Sequence, residues 1–160
     1  MKITVAGLGY VGASIAVLLS NKNNVTCYDI DKTKLNLINK RKSPIDDPEI
    51  RDFLKNKKLD LNTTSSAKIA FKNCDYVVIS TPTNYDTKTN QFNTSSIEKV
   101  IKDVLSNNKN NVKIVIKSTI PVGYTKKIRK FFSYDKIFFS PEFLREGQAL
   151  KDNLYPSRIV

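Results

Sequence analysis

At 160 residues with 40% hydrophobic side chains, the chain is long enough to bury the core of one domain. No apolar run approaches the roughly 18 residues of a membrane-spanning helix, and the N-terminus lacks the pattern of an export signal, so a cytoplasmic location is expected. The formal net charge of +12 makes an anionic partner one explanation to weigh, whereas two cysteines and no histidine exclude the usual metal-ligand patterns.

The first predicted element is an apolar strand over residues 2–6, which leads directly into Gly7-Leu8-Gly9-Tyr10-Val11-Gly12. A helix is predicted over residues 11–20. The three glycines allow a tight turn off the strand, close approach of a diphosphate and close packing of the helix on the sheet. The start of the helix then offers free backbone N–H groups to phosphates. This succession of strand, turn and helix predicts a site for a nicotinamide dinucleotide.

Asp29 ends the second predicted strand, residues 24–29, and lies seventeen residues after Gly12. At that place it would accept hydrogen bonds from the ribose of adenosine. The alternative role of a helix cap is assigned to Asp31, which precedes the predicted helix 32–40. A carboxylate at Asp29 repels the 2′-phosphate of NADP, and Lys34 offsets this repulsion only in part. NAD is therefore the predicted cofactor.

The rest of the chain continues the alternation of apolar strands and amphipathic helices. Further strands are predicted at 60–63, 76–80, 112–117 and 136–139, and further helices at 48–56, 66–73, 94–106 and 122–132. A polar loop is predicted at 83–93, and Thr94 or Ser95 is expected to cap the following helix together with Glu98. This order predicts an α/β fold of the Rossmann type, a doubly wound parallel sheet with helices on both faces.

Ligands of such a sheet bind beyond the carboxyl ends of its strands. Two hydroxyl-rich segments are expected there, residues 81–83 and 118–123, and each fits either a local turn or a contact to cofactor or substrate. A third segment carries Glu142, Arg145 and Glu146. An arginine suits a phosphate or carboxylate ligand, and the two acids share a face if the segment is helical. A functional role is favoured here over that of a solvated helical turn.

The positive charge is attributed mainly to lysines that solvate helix faces, with attraction of nucleotide phosphates as a second contribution. The lysines are interspersed with acidic residues and asparagines, and the chain has no stripe of aromatic and basic residues of the kind that binds single-stranded nucleic acid. Neither a nucleic-acid partner nor a membrane is expected. Cys27 is predicted to lie in the core and Cys74 in a turn, both as structural thiols, and no metal site is expected.

Five segments together resemble the UDP-glucose 6-dehydrogenase family of nucleotide-sugar dehydrogenases, and they run over essentially the whole chain. They are GLGYVG at 7–12, STPTNYD at 80–86, KSTIPVG at 117–123, SPEFLREG at 140–147 and NLYPSR at 153–158. The first segment is shared by many dehydrogenases, whereas the last three, in this order and spacing, are specific. The bacterial, capsule-related branch of the family is the most similar.

The resemblance implies a four-electron oxidation of UDP-glucose to UDP-glucuronate with two NAD. It implies NAD contacts at Gly7, Gly9, Tyr10, Val11, Gly12, Asp29, Lys34, Thr83, Thr119 and Glu146. It implies contacts to the UDP-sugar at Glu142, Phe143, Leu144, Arg145 and Glu146. Thr119 and Glu142 are the implied catalytic residues. They would hold the water used in catalysis and final hydrolysis, because a carboxylate can assist proton transfer and a hydroxyl can complete a hydrogen-bonded relay.

The family pattern is longer than this chain. It includes a central helical segment, through which members form homodimers, and a second domain that binds UDP and carries a nucleophilic cysteine and a catalytic lysine. Cys27 and Cys74 match neither position. Residues 1–160 are therefore expected to be an incomplete enzyme, its N-terminal NAD-binding domain, which binds NAD weakly and does not turn over. The final residues, 158–160, are expected to begin another strand, and the oligomeric state of the chain stays open.

Three further interpretations remain, of which nucleic-acid binding rests only on the positive charge. A sister dehydrogenase for GDP-mannose or a UDP-N-acetyl sugar would share the fold and the reaction class. The run from Phe143 to Gly147 disfavours most relatives that act on N-acetyl sugars, but it disfavours GDP-mannose less. Alternatively, the chain is a non-catalytic nucleotide-binding module or remnant, for which the absence of the second half is the distinguishing feature.

Overall fold

The computed structural model describes residues 1–87 and 90–159, with Gln91 described by its backbone only. Its strands, numbered in chain order, are β1 (Lys2–Ala6), β2 (Asn24–Tyr28), β3 (Leu61–Thr64), β4 (Tyr76–Ile79), β5 (Tyr85–Asp86), β6 (Gln91–Phe92), β7 (Lys113–Ile116) and β8 (Ile137–Phe139). Six of them form one sheet in the order β3-β2-β1-β4-β7-β8, in which every neighbouring pair is parallel. Strands β5 and β6 form a separate antiparallel hairpin.

Helices cover both faces of this sheet. They are α1 (Tyr10–Ser20), α2 (Lys32–Asn39), α3 (Pro48–Asn56), α4 (Ala67–Phe71), α5 (Ser95–Asn107), α6 (Tyr124–Phe132) and α7 (Ala149–Leu154). Buried side chains of α1, α2, α3 and α7 pack on one face with Ile3 and Val5, whereas those of α4, α5 and α6 pack on the other with Ala6 and Ile79. Alternate side chains of β1 therefore point to opposite faces of the sheet, Ile3 and Val5 to one and Thr4 and Ala6 to the other, which explains why all four are buried.

The predicted fold class is confirmed, and the strand order fixes where a crevice opens. The chain winds from β1 outward to β3, returns to β4 on the other side of β1, and continues outward to β8. The connections that leave the carboxyl ends of β1 and β4 therefore run in opposite directions. Such a switch point leaves a crevice at this edge of the sheet, where ligands of this fold bind.

Every strand and helix predicted between residues 2 and 139 is present, with ends that differ by one or two residues at most. Two elements were not predicted: helix α7, and the hairpin β5–β6 inside the predicted loop 83–93. Lys88 and Thr89 of that loop lie outside the described residues. Arg158 and Ile159 belong to no strand, and Val160 lies outside the described residues. Within the described ranges, no helix combines the length and the apolar character needed to cross a membrane.

The helix caps were predicted only in part. Asp31 caps α2 as expected, because its carboxylate accepts a hydrogen bond from the Thr33 N–H. At α5 the expected capping box is absent. Thr94 occupies the N-cap position, but its hydroxyl donates to the Glu98 carboxylate instead of accepting from the backbone. Asn93 accepts from the Ser95 N–H in its place.

Residues 140–148, between β8 and α7, are not helical, so the condition under which Glu142 and Glu146 would share a helix face is not met. The segment instead takes its position from α7, which packs against α1 and α3. Two polar contacts fix that packing. The carboxylate of Asp47 accepts hydrogen bonds from the N–H groups of Ile50 and Leu150, and the side chain of Asn153 donates to the Ser14 hydroxyl.

Replacement of Asp47 by alanine should destabilise the protein by about 1–3 kcal/mol, because it removes the cap of α3 and leaves the buried Leu150 N–H without a partner. Urea denaturation measures this change. The matched control is Asp46→Ala, since Asp46 is exposed and its ion pair with Arg51 lies in solvent. We expect a change of less than about 1 kcal/mol for the control. Equal effects of the two substitutions would contradict the role given to Asp47.

Candidate functional site

The turn between β1 and α1 requires glycine at two contact points. Gly7 has a φ of +92°, and a Cβ there would lie 2.6 Å from the carbonyl oxygen of Ser80. A Cβ on Gly12 would lie 1.8 Å from the carbonyl oxygen of Gly7. Both distances are far shorter than van der Waals contact, so a side chain at Gly7 would push the turn away from the end of β4, and one at Gly12 would push the start of α1 away from the turn.

Gly9, between these two contacts, faces open space. No heavy atom lies within 4 Å of the place where its Cβ would be. Gly9 is also the N-cap of α1, with no side-chain cap and no acidic residue in the first helical turn. The first N–H groups of the helix have no intrahelical acceptor, so they and the helix dipole can attract an anion that enters this space.

Asp29 lies directly against the glycine turn. Its Oδ2 accepts a hydrogen bond of 2.7 Å from the Leu8 N–H, and its Oδ1 accepts one of 2.9 Å from the Asp31 N–H. The carboxylate thus holds the turn and the start of α2 in fixed positions. Each oxygen keeps a second lone pair, and Asp29 is only partly buried, so it can still accept hydrogen bonds from a ligand.

A cavity of about 730 Å³ extends along the carboxyl edge of the sheet from Asp29 to Glu142. It is lined by the following residues proposed from the sequence: Gly7, Gly9, Tyr10, Val11, Asp29, Lys34, Thr83, Thr119, Glu142, Leu144 and Glu146. The structure therefore brings together residues that are as many as 139 positions apart in the chain.

Three residues proposed from the sequence do not line this cavity. Gly12 is buried behind the turn. Phe143 is half exposed and stacks on the guanidinium of Arg158. Arg145 forms an ion pair of 2.7 Å with Asp152. Hydrogen bonds from the side chain and backbone of Arg145 lower the pKa of Asp152 to about 2, so this carboxylate is ionised at neutral pH.

The two hydroxyl-rich segments form local hydrogen bonds and also line the cavity. The Ser118 hydroxyl donates to the Thr81 carbonyl oxygen at 2.6 Å, and the hydroxyls of Ser96 and Thr81 lie 3.0 Å apart. These local bonds tie the ends of β4, β7 and the start of α5 together. Thr83 and Thr119 line the cavity next to them, and Thr119 is exposed.

Lys117 is a cavity residue that the sequence analysis did not assign. Its Nζ lies 3.0 Å from Glu142 Oε2, and the two side chains are only 13% and 17% exposed. The same ammonium donates to the Ser140 hydroxyl and the Pro141 carbonyl oxygen. Its position in the sequence could have indicated a site residue, because Lys117 directly follows a buried strand, as Asp29 does. Lys99 and Asp103 of α5 also line the cavity and were not assigned.

Both cysteines are buried and lie outside the cavity lining. Burial, with a smaller contribution from the Asp29 carboxylate, raises the pKa of the Cys27 thiol to about 12. Burial also raises the pKa of Cys74. Neither thiol therefore supplies a thiolate at neutral pH. Among the described residues, no group of three side chains is placed to hold a metal ion.

A model of the UDP-glucose/GDP-mannose dehydrogenase family, NAD binding domain, matches residues 1–160. The chain belongs to this family. UDP-glucose 6-dehydrogenases of Streptococcus pneumoniae and Campylobacter jejuni are 53% and 50% identical to it over its whole length. The chain spans only 40% and 41% of the length of these two relatives.

Solved structures of the family share the fold. GDP-mannose dehydrogenase of Pseudomonas aeruginosa, solved as a ternary complex, is 28% identical, with a TM-score of 0.85 over 99% of this chain and 40% of its own. A UDP-glucose dehydrogenase of Pyrobaculum islandicum is 27% identical, with a TM-score of 0.78 over 99% of this chain and 39% of its own.

NAD is the cofactor of this domain, and the cavity fits it. The open space at Gly9 faces the uncapped start of α1, which is the arrangement that a diphosphate needs. Asp29 lies on one side of this space, and Thr119 lies two strands away on the other side.

Replacement of Gly9 by alanine should leave stability unchanged, because its Cβ meets no atom of the protein, but should weaken NADH binding by roughly tenfold or about 1.4 kcal/mol. Fluorescence titration and thermal unfolding measure the two properties. Gly12→Ala provides the contrast, since the clash with Gly7 should cost roughly 1–3 kcal/mol of stability. A Gly9→Ala protein that binds NADH as tightly as the parent would exclude this space as the diphosphate site.

Proposed function

We propose that the chain is the NAD-binding part of an enzyme that oxidises UDP-glucose to UDP-glucuronate. The observation that carries this proposal is the continuous cavity that joins the uncapped start of α1 to a threonine hydroxyl and a carboxylate, Thr119 and Glu142. The names of the two bacterial relatives, each covered over less than half its length, support the choice of substrate.

In this proposal the adenosine half of NAD lies beside Asp29. The free lone pairs of Asp29 accept hydrogen bonds from the ribose hydroxyls, while its existing bonds to Leu8 and Asp31 keep the carboxylate from moving. Lys34 lines the same end of the cavity. Because Asp29 and Asp31 carry two negative charges against this one lysine, a 2′-phosphate would be repelled, and NAD is preferred over NADP.

The diphosphate lies over Gly9 and accepts hydrogen bonds from the N–H groups of Tyr10 and Val11 at the start of α1. Gly7 and Gly12 contribute indirectly, since their lack of a side chain allows the turn to pack against β4. In this proposal these two glycines shape the binding site but do not touch the ligand.

The reacting half of the cofactor would lie between β4 and β8, where NAD would supply the hydride acceptor for oxidation of the sugar carbon. Thr83, Thr119 and Glu146 are positioned to border it. The exposed hydroxyl of Thr119 can donate a hydrogen bond to a water or substrate oxygen. Glu142, an acceptor paired with Lys117, can orient the same water and assist proton transfer.

The sugar nucleotide approaches along residues 142–146. Glu142, Leu144 and Glu146 line the cavity, whereas Phe143 and Arg145 flank it from outside. Arg145 is a candidate for a substrate phosphate or hydroxyl if the ligand replaces Asp152 as its partner.

The second oxidation step of the family reaction requires a cysteine thiolate as nucleophile, and neither buried thiol of this chain fits that role. We therefore propose that residues 1–160 alone bind NAD without oxidising UDP-glucose. The proposal includes a cytoplasmic location, supported by the unpaired buried cysteines. It also includes supply of UDP-glucuronate for capsule polysaccharide, supported by the resemblance to the capsule-related branch. Nucleic acid is not a proposed partner.

Replacement of Asp29 by alanine should weaken NADH binding by about 1–3 kcal/mol, because the ribose loses its acceptor. Isothermal titration calorimetry measures the affinity. Asp60→Ala is the matched control, since it removes the same charge at the opposite edge of the sheet, where Asp60 bonds only to Asn24 among the side-chain contacts described. Tighter binding of NADPH than of NADH by the parent protein would contradict the proposed role of Asp29.

The proposed activity can be tested with a chimera. This chain would replace the matching N-terminal part of the Streptococcus pneumoniae relative, whose remaining part would supply the rest of an enzyme. We expect two NADH per UDP-glucose, and no activity with GDP-mannose. The chimera carrying Asp29→Ala serves as control and should need a higher NAD concentration. A folded chimera that binds NADH but oxidises no UDP-glucose would count against the proposal.

A further inference from the structure

The ion pair between Lys117 and Glu142 is the one ion pair of the described residues that lines the cofactor cavity. It is also the least exposed of the three. The other two, Asp46 with Arg51 and Asp152 with Arg145, each have at least one side chain that is more than half exposed. Solvent therefore screens the Lys117–Glu142 pair least.

Both charges of the pair are held by additional hydrogen bonds. The Lys117 ammonium donates to the Ser140 hydroxyl and the Pro141 carbonyl oxygen, each at 3.3 Å. The other carboxylate oxygen of Glu142 accepts from the Phe143 N–H at 3.1 Å. With these partners, the two groups stay in contact and together add no net charge to this end of the cavity.

The pair lies far from the adenosine end of the cavity. Asp29 follows β2, whereas Lys117 follows β7 and Glu142 follows β8, three and four strands further along the sheet. At about 4.8 Å between neighbouring strands, these steps correspond to roughly 14 Å and 19 Å. If adenosine lies at Asp29 and the diphosphate at Gly9, the nicotinamide half extends toward this pair.

The nicotinamide ring is positively charged in NAD⁺ and neutral in NADH, so a net charge beside it favours one form over the other. We propose that Lys117 neutralises and positions Glu142, and that this ion pair thereby sets the relative affinity of the domain for NAD⁺ and NADH. Lys117 is then a positioning residue that acts through Glu142. The inference rests on the proposed cofactor site and adds a residue and a property to it.

The other charged groups that line the cavity add little net charge at the end where Lys117 and Glu142 lie. Asp29, Asp31 and Lys34 lie at the adenosine end. Lys99 and Asp103 lie four positions apart on α5 and oppose each other in charge. Glu146 is exposed, so solvent screens it more than the partly buried Lys117–Glu142 pair.

The test compares the dissociation constants of NAD⁺ and NADH for four variants of the 160-residue protein. Lys117→Met leaves Glu142 unneutralised. It should lower the dissociation constant of NAD⁺ relative to that of NADH, on the order of fivefold. Glu142→Gln leaves Lys117 unneutralised and should lower the dissociation constant of NADH relative to that of NAD⁺ by a similar factor. The double variant should return to the parent ratio, and Lys117→Arg should keep it. A fivefold change corresponds to about 20 mV in the potential of the bound couple.

Calorimetry for NAD⁺ and fluorescence for NADH provide the constants, and thermal unfolding checks that each variant is folded. If Lys117→Met does not fold, Glu142→Gln and the double variant carry the same comparison. Equal weakening of both cofactor forms, with an unchanged ratio, would mean that the pair is only structural and would overturn the inference while leaving the cofactor site intact. A parent protein that binds neither form would overturn both.

Discussion

The contact between the glycine turn and the end of β4 determines where every other part of the site lies. Gly7 and Gly12 allow the turn to approach Ser80 so closely that no Cβ would fit. That approach brings the start of α1 to the crevice between β1 and β4, the switch point of the sheet. Asp29 then holds the turn from the other side through the Leu8 N–H. The uncapped N–H groups of α1 face the cavity because both contacts are present.

A second constraint acts on the far end of the cavity. The segment that carries Glu142 and Glu146 has no regular structure of its own, and it is fixed at both ends. Lys117 holds its beginning from β7, and α7 holds its end through Asp47. This explains a fully buried carboxylate far from the ligand: Asp47 joins α3 to α7 and so determines where residues 142–146 lie. Since two elements distant in sequence must pack first, this end of the site depends on the completed fold.

The sequence predicted the regular elements and many of the residues that line the cavity, because their causes are local. Short apolar strands, the spacing of the glycines and the Asp31 cap are all set by neighbouring residues. The parts that were missed depend on contacts distant in sequence. The position of Lys117 after a buried strand is visible in the sequence, but its pairing with Glu142, 25 positions later, is visible only in the fold. Arg145 is a residue type that binds anions, but its guanidinium already pairs with the carboxylate of Asp152, seven positions away.

The strand order also separates two electrostatic tasks. In the proposed site, the two carboxylates at the adenosine end outnumber Lys34, and the resulting negative charge would repel an additional phosphate. At the proposed nicotinamide end, a net charge would favour one oxidation state of the cofactor, whereas an enzyme that binds NAD⁺ and releases NADH works best when neither form is held too tightly. A neutral pair suits that end. Because these ends are separated by three to four strands, a change of charge at one has little effect on the other.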